Sequence, residues 1–209
     1  MPRPNAPGSA VRRLENGLLA IGTMRIDLAR REVTVPATTN AATLLEFVAN
    51  TRNGFKAYES ALTVDCNATS FNAAMLLIGL DPGHARVPTR HFDPVAPTGD
   101  LIELFMEWTA DGERRHLPVE QLLFDRRTNA PIPEGPWVYT GSTFLRDGVN
   151  PVRYMAEMDG VLIGFVHSPA PVIENPRAGG VNAYGSVIFN ENVGLKPGTP
   201  VTLTIRALP

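Results

Sequence analysis

The chain has 209 residues, enough for one large domain or two small ones, and 44% of them are hydrophobic, as in an ordinary globular protein. Its formal net charge of −2 lacks the basic excess that phosphate binding needs, so we do not expect nucleic acid as a partner. A single cysteine, Cys66, excludes an internal disulfide. Because no run reaches the roughly 18 apolar residues of a membrane helix, no transmembrane segment is predicted.

The first residues are rich in proline, glycine and serine and lack the apolar core of a signal peptide. We predict a flexible tail over residues 1–16 and a single domain over residues 17–209. Two locations stay open at this point. The protein is periplasmic or secreted if an export signal was trimmed, and otherwise it is cytoplasmic.

Alternation of apolar and polar residues predicts four strands in the first third of the chain, because such a strand presents one face to a core. These strands are Leu18–Leu28, Glu32–Pro36, Thr43–Ala49 and Ser60–Val64. The pair Asn53–Gly54 is a strong turn signal between the last two.

A buried helix is predicted over residues 69–80. Thr69 is the expected N-cap, since its hydroxyl can accept a hydrogen bond from the first turn. The following apolar residues recur at the spacing of one helical stripe, which further leucines widen, so most sides of the helix should be buried. The stripe consists of Phe71, Ala74, Met75 and Ile78, with Leu76, Leu77 and Leu80 beside it. Proline in Asp81–Pro82–Gly83 should end the helix.

Two hairpins are predicted in the second half. In the first, the Asp111–Gly112 turn follows the strand Leu101–Trp108 and should place Trp108 opposite Arg115 and Glu107 opposite His116. The second hairpin should run from Val152 to His167 around Asp159–Gly160, with Tyr154 opposite Phe165 and Ala156 opposite Ile163.

The remaining patterns complete the expected fold. A short second helix is compatible with residues 119–125, and further strands are expected at Trp137–Thr140, Ser186–Phe189 and Val201–Leu208. Together these elements predict a β-rich α+β domain of roughly nine or ten mainly antiparallel strands, arranged as a sandwich or a partly closed barrel.

Several segments, in this order, resemble the uncharacterised bacterial YdjY-type domain across roughly Leu18–Leu208. They read YESAL, AAMLLIGLDPG, PVEQLLFD, WVYTGSTFL, YMAEMDGVLIGFVHSPAPVIENP and GTPVTLTIR. The resemblance implies a bacterial protein that is often exported or attached to the cell envelope. Some members were labelled ferredoxin-like, but an iron–sulfur cluster needs about four thiolates. The family commonly has a histidine before its Glu-Ser pair, where this chain has Tyr58.

The corner Tyr58–Glu59–Ser60 holds the candidate catalytic residues, Glu59 and Ser60. Glu59 could serve as a general base or ligand and Ser60 as a hydrogen-bond donor, with Tyr58 as a candidate ligand contact. In the structural alternative, Glu59 accepts hydrogen bonds from backbone amides and stiffens the junction.

A proline-punctuated loop, residues 84–99, is long for a connection without secondary structure, and such loops are often functional or mobile. His84, His91 and Asp93 in this loop are candidate ligand-binding residues. Their types are compatible with a metal site, but their spacing matches no standard motif, so no metal and no cofactor are predicted.

Cys66 lies between a strand and a helix N-terminus, where the helix dipole could activate its thiol; a buried, inert thiol is the alternative.

The chain has no phosphate-binding loop, no dinucleotide fingerprint and no nucleophile elbow. Since no recognisable catalytic set is present, the sequence favours a non-catalytic binding or interaction module of the bacterial cell envelope, with an unknown protein or small-molecule ligand. The alternatives are a hydrolase with a site near Tyr58–Glu59–Ser60 and the His84–Asp93 loop, and a metal-binding or redox accessory protein.

Overall fold

The computed structural model describes residues 10–146, 148–177 and 185–209. In the tail predicted over residues 1–16, Arg12 and Arg13 form a short paired strand, whereas residues 1–9 lie outside the described residues. Within them the strands are β1 (Arg12–Arg13), β2 (Leu19–Ile21), β3 (Met24–Asp27), β4 (Glu32–Thr39), β5 (Phe47–Thr51), β6 (Ser60–Val64), β7 (Asp100–Ala110), β8 (Glu113–Pro118), β9 (Leu123–Asp125), β10 (Ala130–Pro131), β11 (Trp137–Tyr139), β12 (Phe144–Leu145), β13 (Arg153–Tyr154), β14 (Val161–Gly164), β15 (Ile173–Glu174), β16 (Val187–Phe189) and β17 (Pro200–Ala207). The helices are α1 (Ala68–Leu77) and α2 (Met155–Asp159).

Eight strands close into a mixed barrel in the order β4–β17–β7–β11–β15–β14–β5–β6, and β6 pairs back with β4. Two neighbouring pairs, β5–β6 and β14–β15, are parallel, and the other barrel pairs are antiparallel. A closed sheet of eight strands encloses an interior that side chains can fill. The predicted β-rich α+β class is confirmed. Of the two arrangements left open by the sequence, a sandwich and a partly closed barrel, the structure shows the barrel.

The strand β17 pairs with both β4 and β7 and shows the predicted alternation. Leu203 lies opposite Val35 on one side and Met106 on the other, and all three side chains are fully buried. The first predicted hairpin is also confirmed, because Trp108 pairs with Arg115 as expected. The turn residue Asp111 adopts a φ of 53°, which suits a tight hairpin turn.

Two predicted strand boundaries in the N-terminal third are wrong. The segment Leu18–Leu28 forms two strands instead of one, because the chain turns at Gly22, whose φ is 57°. The strand predicted at Thr43–Ala49 begins only at Phe47. Before that point, the amide of Leu45 donates to the carbonyl oxygen of Val187 and so leaves the barrel ladder.

The helix α1 is present but is capped by a different residue. Asn67 is the N-cap, and its Oδ1 accepts from the Ser70 amide at 2.7 Å, so the prediction of Thr69 is wrong. The helix ends before Pro82, because Gly79 takes a left-handed φ of 83°. Two leucines predicted as buried are instead exposed: Leu76 by 47% and Leu77 by 38%.

The second predicted hairpin does not form. Its first arm contains α2, and its second arm, β14, pairs with β5 and β15. The sequence MAEMD is rich in helix-forming residues, and Gly160, with a φ of 67°, ends the helix in a left-handed cap. Tyr154 pairs with Phe144 in a separate two-stranded sheet.

The segment 119–125 is helical only in its first half. It forms a single 3-10 turn over Val119–Leu122 and then continues as β9. This strand lies between β10 and β16 in a three-stranded sheet beside the barrel.

The strand directions define two ends of the barrel. At one of them β5, β6 and β11 begin and β14 and β15 end. We name it the cleft end, because a surface cleft opens there. The helix α1 follows the end of β6 and α2 precedes β14, so both helices belong to the opposite end.

Candidate functional site

A cleft of about 590 Å³ opens at the cleft end of the barrel. Segments that follow β9, precede β11, and follow β14 and β15 form its walls. Its volume lies within the roughly 300–1,000 Å³ of small-molecule sites. The lining residues are Asp125, Arg127, Thr128, Ile132, Pro133, Glu134, Gly135, Pro136, Phe165, Pro176 and Arg177.

The apolar walls of this cleft are conformationally stiff. Ile132 and Phe165 are nearly fully buried and join the cleft to the core of the domain. The other apolar lining residues are Pro133, Pro136 and Pro176. Because a proline ring fixes φ, these three positions of the walls have restricted backbone freedom.

Arg177 is held in place by a buried polar network. Its Nη2 donates to Glu120 Oε1 at 2.8 Å, and the indole nitrogen of Trp137 donates to the same oxygen at 2.8 Å. The guanidinium also lies 5.2 Å from the centre of the Trp137 ring, and its Nη1 donates to Asn175 Oδ1. Burial lowers the pKa of Arg177, and the neighbouring Glu120 carboxylate opposes this effect.

The remaining charged groups of the cleft also have partners. The side chain of Arg127 donates to both carboxylate oxygens of Asp125, and this contact holds the pKa of Asp125 below its usual value. The Glu134 carboxylate accepts from the side-chain nitrogen Nε2 of Gln121 at 2.7 Å. The cleft is therefore lined by neutral surface and satisfied charges.

The predicted Tyr58–Glu59–Ser60 corner lies at the same end, just before β6. The Glu59 carboxylate is 2.6 Å from Lys56 Nζ, so its partner is an ammonium group rather than the backbone amides of the structural alternative. Ser60 is fully buried and its Oγ donates to the Lys56 carbonyl oxygen at 2.7 Å. Tyr58 is 66% exposed, with its ring 5.8 Å from the same ammonium group.

Asp93 organises the long loop from within. Its carboxylate accepts hydrogen bonds from the backbone amides of Thr89 and Val95 and from Arg86. These amide bonds come first among the contacts that hold the pKa of Asp93 well below its usual value. All of these carboxylate contacts lie inside the loop, and Asp93 is almost fully buried.

The two loop histidines are separated. His91 Nε2 lies 3.3 Å from Oε2 of the buried Glu46, whose amide donates to the Glu59 carbonyl oxygen. The structure thus brings His91 and the Glu59 corner together through Glu46. His84 Nδ1 instead lies 2.7 Å from Asp100, at the opposite end of the barrel, and this hydrogen bond raises the pKa of His84.

Comparison with known proteins decides the family. Residues 24–206 match the sequence profile of the YdjY domain. The chain belongs to the YdjY domain family. No curated protein and no solved structure matched this chain. The match confirms the resemblance seen in the sequence segments, and it covers the YdjY domain from the start of β3 almost to the end of β17, including the cleft.

Four residues that matter in this YdjY domain were not singled out as site candidates from the sequence: Glu46, Glu120, His167 and Arg177. His167 is fully buried; its Nδ1 lies 2.9 Å from the Asp93 carbonyl oxygen, and its Nε2 lies 3.2 Å from that of Arg177. It therefore connects the long loop to a wall of the cleft. The partners of Glu46, Glu120 and the Nδ1 of His167 are far apart along the chain, so these pairings have no local sequence signal.

The single thiol of the YdjY domain fits the inert alternative. Burial, reinforced by the nearby Asp65 and Glu157 carboxylates, raises the pKa of Cys66, so the reactive thiolate is disfavoured.

Among the described residues, no group of three or more histidine, cysteine, aspartate or glutamate side chains is placed to hold a metal ion. In the same part of the chain, no helix has the length and apolar character needed to cross a membrane.

Proposed function

We propose that this YdjY domain is a non-catalytic binding module and that its ligand occupies the cleft. The cleft itself is the observation that carries the proposal. It has the size of a small-molecule site, its apolar walls include three prolines, and its deepest residues are continuous with the core. A preformed site of this kind binds a ligand without first ordering its own walls.

The state of the polar groups favours binding over bond-making. A general acid, base or nucleophile needs a group that can reach the reacting atom. In this cleft, Asp125, Arg127 and Arg177 already satisfy their charges within the protein. At the neighbouring corner, Ser60 is buried and its hydroxyl is engaged with a backbone oxygen.

The cell envelope is the proposed location, and the family resemblance supports it. Fractionation of the organism of origin, followed by detection with an antibody, tests the location separately from ligand binding. Recovery of the protein in the cytoplasmic fraction alone would contradict the location and leave the cleft proposal standing.

Ligand capture tests the binding function. The purified protein is incubated with a small-molecule extract of the organism of origin, and retained compounds are identified by mass spectrometry. Thr128→Trp fills the cleft from its exposed rim, whereas Thr109→Trp makes the same change at an exposed position of β7. We expect a compound that the wild type and Thr109→Trp retain and Thr128→Trp loses. Equal retention by all three proteins would argue against the cleft.

A hydrolase is the second candidate, favoured by one observation. The half-exposed His91 lies beside the buried Glu46 carboxylate, an arrangement that can orient an imidazole as a general base. A panel of ester, phosphoester and glycoside substrates, assayed with wild type, His91→Gln and Glu59→Gln, tests this alternative. Activity that falls at least 100-fold in His91→Gln would establish it over the binding proposal.

A further inference from the structure

We infer that the ligand of the cleft is an uncharged, mainly apolar molecule that contains a rigid ring. This inference rests on the proposed binding function and specifies the chemical class of the ligand. It follows from how the charged groups of the cleft are already used and from the shape of its apolar walls.

An anionic ligand would meet Arg177 in a site where the guanidinium already pairs with a carboxylate and donates three hydrogen bonds. Arg177 donates to Glu120, to Asn175 and to the carbonyl oxygen of Gly135. Drawing Arg177 toward an anion would leave the Glu120 carboxylate, which is almost completely buried, without its counterion. Leaving a buried charge without its partner is strongly unfavourable, so the structure disfavours an anion here.

The same reasoning applies to the other arginine of the cleft. Arg127 forms a side-on pair with Asp125, with its Nη2 2.8 Å from Oδ2, and the Arg127 amide donates to Oδ1. An anion would compete with Asp125 for Arg127, and a cation would compete with Arg127 for Asp125. An anionic or a cationic ligand would therefore have to displace an existing partner, because neither finds an unpaired charge in this ion pair.

Glu134 is the remaining charged lining residue, and it does not change this conclusion. It lies on the exposed rim and accepts from Gln121. An exposed ion pair contributes little in water, so Glu134 gives a cation little advantage over a neutral ligand.

The apolar walls indicate a rigid ring rather than a flexible chain. Proline side chains are stiff rings, and three of them line the cleft together with Ile132 and Phe165. Contact between preformed rigid surfaces buries apolar area while few rotatable bonds are frozen. A flexible chain would lose more conformational freedom for the same contact area.

A series of probes with one ring system and different charges tests the inference. The probes are 2-naphthalenemethanol, 2-naphthoate and 2-naphthylmethylammonium, titrated by calorimetry into wild type, Thr128→Trp and Thr109→Trp. We expect the neutral alcohol to bind at least tenfold more tightly than either ion, which corresponds to about 1.4 kcal/mol. We also expect Thr128→Trp to abolish binding of the alcohol and Thr109→Trp to retain it.

The outcomes separate the ligand class from the site. An ion that binds as tightly as the alcohol and is lost in Thr128→Trp overturns the ligand class but keeps the cleft. Binding that Thr128→Trp leaves unchanged, or no binding of any probe to wild type, overturns the cleft as the site. Circular dichroism confirms folding of each variant, and Pro133→Trp, at another exposed rim position, replaces Thr128→Trp if that variant is unfolded.

Discussion

Nδ1 of His167 lies 2.9 Å from the carbonyl oxygen of Asp93, 74 residues away in sequence. The other ring nitrogen lies 3.2 Å from the Arg177 carbonyl oxygen. One buried imidazole therefore fixes the long loop against a wall of the cleft. The loop that sequence analysis marked as a functional candidate is thus part of the support of the cleft.

Replacing His167 should loosen this connection. In His167→Ala the carbonyl oxygen that accepts the imidazole N–H loses its donor. A buried group without a partner costs about 1–3 kcal/mol, and we expect a loss of that size in the free energy of unfolding. Hydrogen exchange should become faster at residues 92–95. The control is His116→Ala, an exposed position on β8, which should change neither quantity appreciably. Unchanged exchange in the loop would contradict the role of His167.

Glu174 should make stability depend on pH. It is fully buried, and burial raises its pKa well above the ordinary glutamate value of about 4.3. Because the folded pKa is the higher one, its contribution is fully present below the unfolded pKa and is lost as the pH rises toward the folded pKa. Relative to Glu174→Gln, the wild type should therefore lose up to about 1.4 kcal/mol per pH unit above roughly pH 4.5.

Urea denaturation of both proteins from pH 4.5 to pH 8 measures this difference. Glutamine has nearly the same shape and stays neutral, so it removes the titration while keeping the packing. If the two stability curves run parallel across this range, Glu174 is ionised in the folded protein and the prediction is wrong.

The pairing of Arg177 with Glu120 should be strongly coupled. Arg177→Met leaves the buried Glu120 carboxylate unpaired and should cost about 3–5 kcal/mol. Adding Glu120→Gln should restore much of this loss, because the glutamine carbonyl still accepts from Trp137 and carries no charge. Chemical denaturation of both single variants and the double variant gives the coupling energy. Additive losses would show that the two side chains act independently.

The N-cap of α1 can be assigned by two alanine substitutions. Asn67→Ala removes the acceptor for the Ser70 amide and should lower stability by about 1 kcal/mol. Thr69→Ala removes only an exposed hydrogen bond to Glu157 and should have a smaller effect. A larger loss of stability in Thr69→Ala than in Asn67→Ala would show that Thr69 is the N-cap, as the sequence predicts.

Alanine substitutions at two glycines with left-handed φ can distinguish the cost of backbone strain from the cost of steric crowding. A Cβ on Gly160 would lie 2.3 Å from the Cα of Gly54, whereas a Cβ on Gly198 would meet nothing within 4 Å. Gly198→Ala should cost about 1–2 kcal/mol for the left-handed conformation alone. Gly160→Ala should cost about 1–3 kcal/mol more, because the two chain segments must move apart. Equal melting temperatures of the two variants would show that the contact with Gly54 is dispensable.

The elements that could be predicted are those with a local signal. Alternation placed Val201, Leu203 and Ile205 on one buried face, and Asp111–Gly112 fixed the register of its hairpin. The segment from Val152 to His167 was misassigned because turn residues between two apolar runs fit a hairpin as well as a helix followed by a strand. The partners of β14 that decide between these possibilities lie elsewhere in the sequence.

The candidate site was only partly predictable for a similar reason. The Glu59 corner and the His91 loop lie near each other, as one of the functional hypotheses required, but Glu46 provides the connection. Arg177 and Glu120 are 57 residues apart, and no spacing rule relates them. Pairings of this kind depend on how the barrel closes, which short-range patterns do not encode.

The position of β17 between β4 and β7 has a consequence for synthesis on the ribosome. Residues 200–206 pair with residues 32–38, so the barrel cannot close until almost the whole domain has been made. Until then β4 and β7 each lack a neighbour on one side, and an unpaired strand edge can recruit another chain. Because such long-range pairing forms slowly, the nascent domain should need protection from aggregation until its last strand emerges.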